Sequence, residues 1–191
     1  MSVYGIGAKN AIQYSINPWR IEAAPNQERL MIKGLHHAAY RCNDSEVTRQ
    51  FYEDFLGLPL IEALQIGKTN TGRAANVLHT FYQMDDGSCL AFFEAPDQPF
   101  EFKEQHDFDL HIALTVEEEV LQPMMDKAKS LGIETRGISD HGFVQSIYFR
   151  DPDGYVVELA APTKGSSETD HKPAANSARS SLATWQDSKV A

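Results

Sequence analysis

Two histidines and one glutamate stand at related places in this sequence and could together hold a metal ion. His37 and His111 each begin the same short pattern, histidine, any residue, alanine and then an aromatic or aliphatic residue. Glu158 interrupts the apolar run Tyr155–Leu159, where a carboxylate is costly to bury unless a partner neutralises it. Two imidazoles and one carboxylate suit Fe(II) or Mn(II), with nickel and zinc as alternatives, and leave coordination positions open.

The two histidine patterns open two copies of one β-α-β-β-β arrangement, at about 34–97 and 107–162. Two copies with a long period indicate a duplicated domain and not a solenoid. Ala91 occupies, in the first copy, the place that Glu158 holds in the second. The sequence therefore predicts an α+β fold in which two tandem βαβββ modules form a cupped mixed β-sheet around one metal site.

Strand, helix and turn patterns set the expected elements of each copy. Pro152 and Gly154 favour a tight turn at residues 151–154, before the last strand. Pro123 is expected to interrupt or kink the second helix. The expected elements are Leu35–Cys42, a helix over Glu46–Leu56 capped by Asp44 or Ser45 and ended by Gly57, Pro59–Gly67, Asn76–Met84, Ser88–Ala95, Phe108–Val116, a helix over Glu117–Leu131 ended by Gly132, Ile133–Ile138, Gln145–Arg150 and Tyr155–Ala160.

Composition excludes several functional classes. With a net charge of −10 and no basic patch, the 191-residue chain is an unlikely partner for nucleic acid. No apolar run approaches the ~20 residues of a membrane helix, and the pattern favours a cytoplasmic protein with Cys42 and Cys89 reduced and buried. Residues 1–33 read as an N-terminal extension, and residues 163–191 as a disordered tail.

These motifs resemble the vicinal oxygen chelate superfamily, which includes glyoxalase I, fosfomycin-resistance proteins, bleomycin-resistance proteins and type I extradiol dioxygenases. The resemblance covers residues 34–162. It is carried by His37–Asp44, by Phe51–Leu58, and by the turn at residues 151–154 followed by Glu158. It implies the two-module fold and the metal ligands His37, His111 and Glu158.

Within the superfamily, residues 141–159 resemble the small one-domain extradiol dioxygenases most. The similar features are His141, an aliphatic residue before Tyr148, the acidic-Pro-x-Gly turn and Glu158. The resemblance implies that Tyr148 donates a hydrogen bond to a bound catecholate and that His141 lies over the site. His79 is a further acid–base candidate. We therefore expect an Fe(II)-dependent oxidoreductase of aromatic catabolism, acting on a small aromatic diol with O₂ as a homodimer.

Three alternatives remain on the same fold. A Mn(II)-dependent thiol transferase of the fosfomycin-resistance type would share the His-His-Glu set. A glyoxalase-like lyase or isomerase is disfavoured by Ala91, because such enzymes resemble four-ligand sites. A non-catalytic protein that binds an aromatic ligand is disfavoured by the intact triad. His36 is interpreted as structural, because strand alternation turns it away from the face of His37.

Overall fold

The computed structural model describes residues 32–163 and 175–189. The expected N-terminal extension lies outside the described residues, apart from its last two positions. The elements follow in chain order as β1 (His37–Cys42), α1 (Ser45–Arg49, continued by a π-helical segment over Gln50–Phe55), β2 (Leu60–Lys68), β3 (Ala74–Gln83), β4 (Cys89–Glu94), β5 (His111–Thr115), α2 (Glu118–Ser130), β6 (Thr135–Asp140), β7 (Val144–Arg150), β8 (Val156–Pro162) and α3 (Ala175–Ser188).

The eight strands form two four-stranded sheets of the same topology. The strand orders are β1-β4-β3-β2 and β5-β8-β7-β6, with the first pair parallel and the others antiparallel in each sheet. The strand registers also correspond: Ala39 pairs with Ala91 in the first sheet, and Ala113 pairs with Glu158 in the second. The predicted α+β fold of two βαβββ modules is confirmed.

The first helix begins where the sequence predicts. The Asp44 side chain accepts hydrogen bonds from the backbone N–H groups of Glu46 and Val47, as an N-cap residue does. The helix widens into a π-helix over Gln50–Phe55 and ends before Gly57, whose φ is +87°. The helical segment therefore agrees with the predicted Glu46–Leu56 to within one residue at each end, but its π-helical second half was not expected.

The second helix departs from the prediction at Pro123. Helix α2 is continuous over Glu118–Ser130, with Pro123 inside it. Proline cannot donate a backbone hydrogen bond within the helix. The buried side chains of Leu121, Met125 and Ala128 hold this helix against the second sheet. Burial of a large apolar side chain stabilises the fold by roughly 1.5–3 kcal/mol, which is of the size needed to offset the hydrogen bond that Pro123 cannot donate.

Both modules contribute to a single hydrophobic core. Phe55 of the first module meets Phe149 of the second, with ring centroids 5.2 Å apart. Lys127 on α2 donates hydrogen bonds to the carbonyl oxygens that end the π-helical segment, those of Asp54 and Phe55. The largest fully buried side chains, drawn from both modules, include Tyr52, Tyr82, Phe92, Phe149, Leu90, Leu121, Ile147 and Val157.

A buried polar contact also joins the modules at the predicted turn. The Tyr52 hydroxyl donates to Asp151 Oδ2 at 2.9 Å, and the backbone N–H groups of Asp153 and Tyr155 donate to Asp151 Oδ1. The Asp153 carboxylate accepts from the backbone N–H of Asn43 at 3.0 Å. Burial raises the pKa of Asp151 to about 6, despite these hydrogen bonds.

The segment for which the sequence predicts disorder contains helix α3. Its side chains Ala178, Leu182 and Trp185 fall on one face at helical spacing, a pattern that the compositional argument overlooked. Residues 164–174 and 190–191 lie outside the described residues. None of the helices in the described parts of the chain is long and apolar enough to cross a membrane.

The raised pKa of Asp151 predicts an unusual pH dependence. The folded protein holds this proton up to about pH 6, whereas the unfolded chain releases it near 3.8, the ordinary pKa of an aspartate. The stabilisation is therefore fully present below the unfolded value and is lost as pH rises through the folded value. Between about pH 5 and 7.5, the free energy of unfolding should fall by roughly 1–2 kcal/mol more in the wild type than in Asp151→Asn.

Urea unfolding at both pH values measures this difference. Asp97→Asn, which changes an exposed aspartate, is the matched control and should follow the wild-type dependence. Equal pH dependence in Asp151→Asn and the wild type would contradict the prediction.

Candidate metal centre

His111 presents one ring nitrogen with a free lone pair. Its Nδ1 lies 2.8 Å from the carbonyl oxygen of Asp107, in the loop just before β5. A carbonyl oxygen can only accept, so Nδ1 carries the proton in the neutral imidazole and Nε2 does not. Nε2 lies 3.4 Å from Glu158 Oε2.

Glu158 is the carboxylate that the sequence places in an apolar strand. It is only 8% exposed. It lies on β8, the strand that follows the turn, and pairs there with Ala113 of β5. The Tyr148 hydroxyl donates to Glu158 Oε1 at 3.3 Å. Glu158 Oε2 and His111 Nε2 are both acceptors and have no proton between them in the neutral state. A divalent cation fits this pair, because it would satisfy both atoms at once.

His37, the third predicted ligand, lies elsewhere. Its ring is 6.1 Å from that of His79 and 5.5 Å from that of Phe81, all in the first module. Within residues 32–163 and 175–189, no group of three His, Cys, Asp or Glu side chains is placed to hold a metal. The structure thus brings His111 and Glu158 together but not His37, and the complete triad stays a prediction.

Strand alternation explains this separation. Each sheet uses one face for the common core, which buries Ile112 and Val157 in the second module and Leu90 in the first. His37 and Glu158 lie on the other face of their sheets, one residue out of phase with the core residues. We call these the open faces of the two modules. They are directed away from the core that the modules share.

The open face of the first module lacks the polar groups of the second. By strand register, Ala91 stands where the second module has Glu158, and Phe81 stands where it has Tyr148. At these two positions the first module therefore has neither the carboxylate nor the hydroxyl. His37 is the ligand that the sequence predicts from this module.

Two predicted catalytic residues lie beside the His111–Glu158 pair. His141 Nε2 is 3.1 Å from the Tyr148 hydroxyl, which in turn donates to Glu158. Burial, and then the charge of Glu158, raise the pKa of Tyr148. Tyr148 therefore keeps its proton at neutral pH and can act as a donor.

His79, the third predicted catalytic residue, lies on the first module. It is 7% exposed, its Nδ1 donates to the carbonyl oxygen of Phe92, and its ring stacks on Phe93 at 3.6 Å. Burial lowers the pKa of His79, so the ring is neutral at physiological pH. Its Nε2 consequently has a lone pair available to accept a proton.

The sequence interpretation missed Arg136. Its guanidinium lies 4.6 Å from the centre of the Tyr148 ring and forms an ion pair with Asp107. This pair lowers the pKa of Asp107, chiefly through the hydrogen bond from Arg136. The pairing of Arg136 with Tyr148 across β6 and β7 places it there, and a correct register for these strands would have revealed it.

Residues 34–159 match the family model of the Glyoxalase/Bleomycin resistance protein/Dioxygenase superfamily. With the fold and the His–Glu pair described above, this match shows that the chain belongs to that superfamily. The resemblance inferred from the sequence motifs is confirmed.

The more detailed similarities are to proteins named for thiol transfer and fosfomycin resistance. The chain is 32% identical over 134 residues to the metallothiol transferase FosB of Bacillus licheniformis, covering 69% of this chain and 77% of the relative. It is 28% identical to the glutathione transferase FosA of Serratia marcescens, covering 68% and 81%. A crystal structure of the fosfomycin resistance protein FosX from Listeria monocytogenes, complexed with Mn(II) and sulfate, matches with 25% identity, a TM-score of 0.50, and coverage of 70% and 95%.

These relatives overturn the expected reaction. The prediction of an Fe(II)-dependent extradiol dioxygenase was wrong, and so were the oxidoreductase class, the role in aromatic catabolism, and the aromatic substrate with O₂. The preference for iron has no support, whereas the Mn(II) complex of FosX supports metal dependence. The contacts of His141 and Tyr148 explain the error. They support a carboxylate, which metal enzymes of many kinds require, and do not specify oxygen chemistry.

Removing the carboxylate should remove metal binding. We expect Glu158→Gln to weaken Mn(II) binding by at least about 100-fold, because an amide is a poor substitute for an anionic ligand of a hard cation. Titration of Mn(II), followed by the electron paramagnetic resonance signal of the free ion, measures the affinity. Glu101→Gln, at an exposed glutamate, is the control and should bind as the wild type does. Unchanged affinity in Glu158→Gln would contradict this assignment.

Proposed function

We propose that this protein is a Mn(II)-dependent transferase that joins a thiol to a small epoxide of the fosfomycin type. The observation that carries the proposal is the His111–Glu158 pair, in which Nε2 of the neutral imidazole and Oε2 of the buried carboxylate lie 3.4 Å apart and could share one cation. The metallothiol transferase at 32% identity supports the reaction class, and the Mn(II)-bound FosX structure supports the metal.

We further propose that a second copy of the chain completes the site with its His37. The open faces of the two modules lie opposite the core that they share, so a single chain does not bring them together. In a dimer with two-fold symmetry, the first module of each copy can face the second module of the other. His37 would then meet His111 and Glu158 at both of two equivalent sites. The exposed apolar side chains Ile61 and Leu64 on β2 are consistent with a surface that a partner covers.

Addition of a thiol to an epoxide forms one carbon–sulfur bond and moves one proton from the sulfur to the ring oxygen. The thiol loses its proton, the sulfur forms a bond to an epoxide carbon, and the carbon–oxygen bond of the ring breaks. The ring oxygen then takes a proton, which balances the step. When bound, a divalent cation supplies Lewis-acid polarisation of the epoxide oxygen.

The residues of this chain supply the remaining functions. His79, neutral with Nε2 free, can accept the thiol proton from the partner's side of the shared site. Tyr148 holds a proton beside Glu158 and can donate to the opened ring oxygen. Arg136 carries a permanent charge next to Tyr148 and can leave Asp107 to meet the anionic group of the substrate.

Direct assay tests the function. Protein loaded with Mn(II) should consume fosfomycin in the presence of glutathione or L-cysteine and yield a product whose mass is the sum of the two reactants. We expect Tyr148→Phe to lower kcat by about 10²–10⁴-fold, the usual effect of losing a general acid. A reaction without thiol reveals any hydration of the epoxide. If the Mn(II)-bound protein forms no thiol adduct, the transferase proposal fails.

Mixed dimers test whether the site is shared. His37→Ala and Glu158→Gln should each be inactive when alone. In a heterodimer, the intact His37 of one copy meets the intact Glu158 of the other, so one of the two sites is restored. Random mixing makes half of the dimers heterodimers, so about one quarter of wild-type activity should return.

Reversible unfolding and refolding of the two variants together provides the mixture, and each variant refolded alone is the control. Activity that remains at the level of the separate variants would contradict a shared site.

A further inference from the structure

The two predicted histidine ligands differ in what holds their Nδ1 atoms. His111 has its Nδ1 fixed by the backbone carbonyl of Asp107 at 2.8 Å. His37, at the equivalent strand position, has its Nδ1 2.7 Å from Nδ1 of His36. The residue before His111 is Leu110, which packs against the core and cannot play this part. A side chain therefore lies beside Nδ1 in the first module, where a backbone carbonyl lies beside it in the second.

This contact corrects the interpretation of His36 as a purely structural residue on the opposite face. Neighbouring side chains on an extended strand normally point to opposite faces. Here the ring of His36 turns toward His37, so that the two ring centroids are 5.0 Å apart and the ring planes meet at 73°. His36 is exposed, and the hydrogen bond to His37 is its closest polar contact in the described residues. The side chain of His36 is thus placed to contact the ring of His37.

The hydrogen bond between the two rings has two possible assignments. If His36 Nδ1 donates, the neutral His37 ring carries its own proton on Nε2, and that nitrogen cannot bind a metal. If His37 Nδ1 donates and His36 Nδ1 accepts, His37 Nε2 has a free lone pair. Only the second arrangement matches the tautomer that His111 adopts. The neighbour of His37 therefore governs whether His37 can act as a ligand.

We propose that His36 is a positioning residue, which accepts the Nδ1–H of His37 and holds its Nε2 ready for the metal. The inference rests on the proposed metal centre, because it assigns His37 as a ligand there. Histidine ligands commonly donate their second ring nitrogen to a carboxylate, a carbonyl or water, and losing that partner lowers metal affinity 10–100-fold. Here the acceptor is a second imidazole.

The test compares Mn(II) affinity in three variants. His36→Ala removes the acceptor and should weaken Mn(II) binding about 10–100-fold. His36→Asn places an amide oxygen at the same number of bonds from the backbone as the lost Nδ1, so it should restore most of the affinity. His37→Ala should lose more affinity than His36→Ala. Because His36 is exposed, the melting temperature of both His36 variants without metal should remain that of the wild type.

A spectroscopic readout tests the hydrogen bond itself. In the Co(II)-substituted protein, ring N–H protons of histidine ligands give paramagnetically shifted proton resonances that disappear in D₂O. Two such resonances are expected in the wild type, from His37 and His111. One of them should broaden through faster solvent exchange in His36→Ala and sharpen again in His36→Asn.

The outcomes separate the two proposals. Wild-type affinity in His36→Ala together with loss in His37→Ala would overturn the role of His36 and leave the metal centre intact. Wild-type affinity in His37→Ala would remove His37 from the metal centre, and the role of His36 with it. Failure of His36→Asn to restore binding would also overturn the hydrogen-bonding role.

Discussion

The two sheets of this protein pack equivalent faces into one common core, and this constraint determines where the candidate site residues lie. Side chains alternate along a strand, so the burial of Leu90 and Val157 leaves His37 and Glu158 on the open faces. The hydrogen bond from Tyr52 to Asp151 ties the modules together on the core side. The proposed site uses both open faces, and a second copy of the chain supplies the missing one.

Much of this arrangement could be predicted from the sequence because it depends on periodicity and on turn chemistry. The duplicated pattern around His37 and His111 revealed the two modules, and the comparison of Ala91 with Glu158 revealed the asymmetry that the strand registers show. The cap at Asp44 followed from its side-chain chemistry. These features are local, or they repeat a local pattern, and so a single chain displays them.

The features that escaped prediction depend on contacts between distant parts of the chain or on the conformation of single side chains. The continuous helix through Pro123 is held by packing against the second sheet. Arg136 reaches Tyr148 only through the register of β6 and β7. The ring of His36 departs from the direction that strand alternation implies. The separation of His37 from Glu158 follows from how the modules pack, which periodicity does not encode.

The difference between the two modules explains how a duplicated fold can form one kind of site without duplicating it. The second module provides the anionic ligand Glu158 and the proton donor Tyr148, whereas the first has Ala91 and Phe81 at those positions. A symmetric pair of modules, each with two polar groups, would crowd a shared cavity with carboxylates and leave a cation few open positions. In the proposed metal centre, a first module without the carboxylate keeps coordination positions free for a substrate. His37 is then the ligand predicted from the first module, so the hydrogen bond to its Nδ1 is the contact through which that module would influence a bound metal.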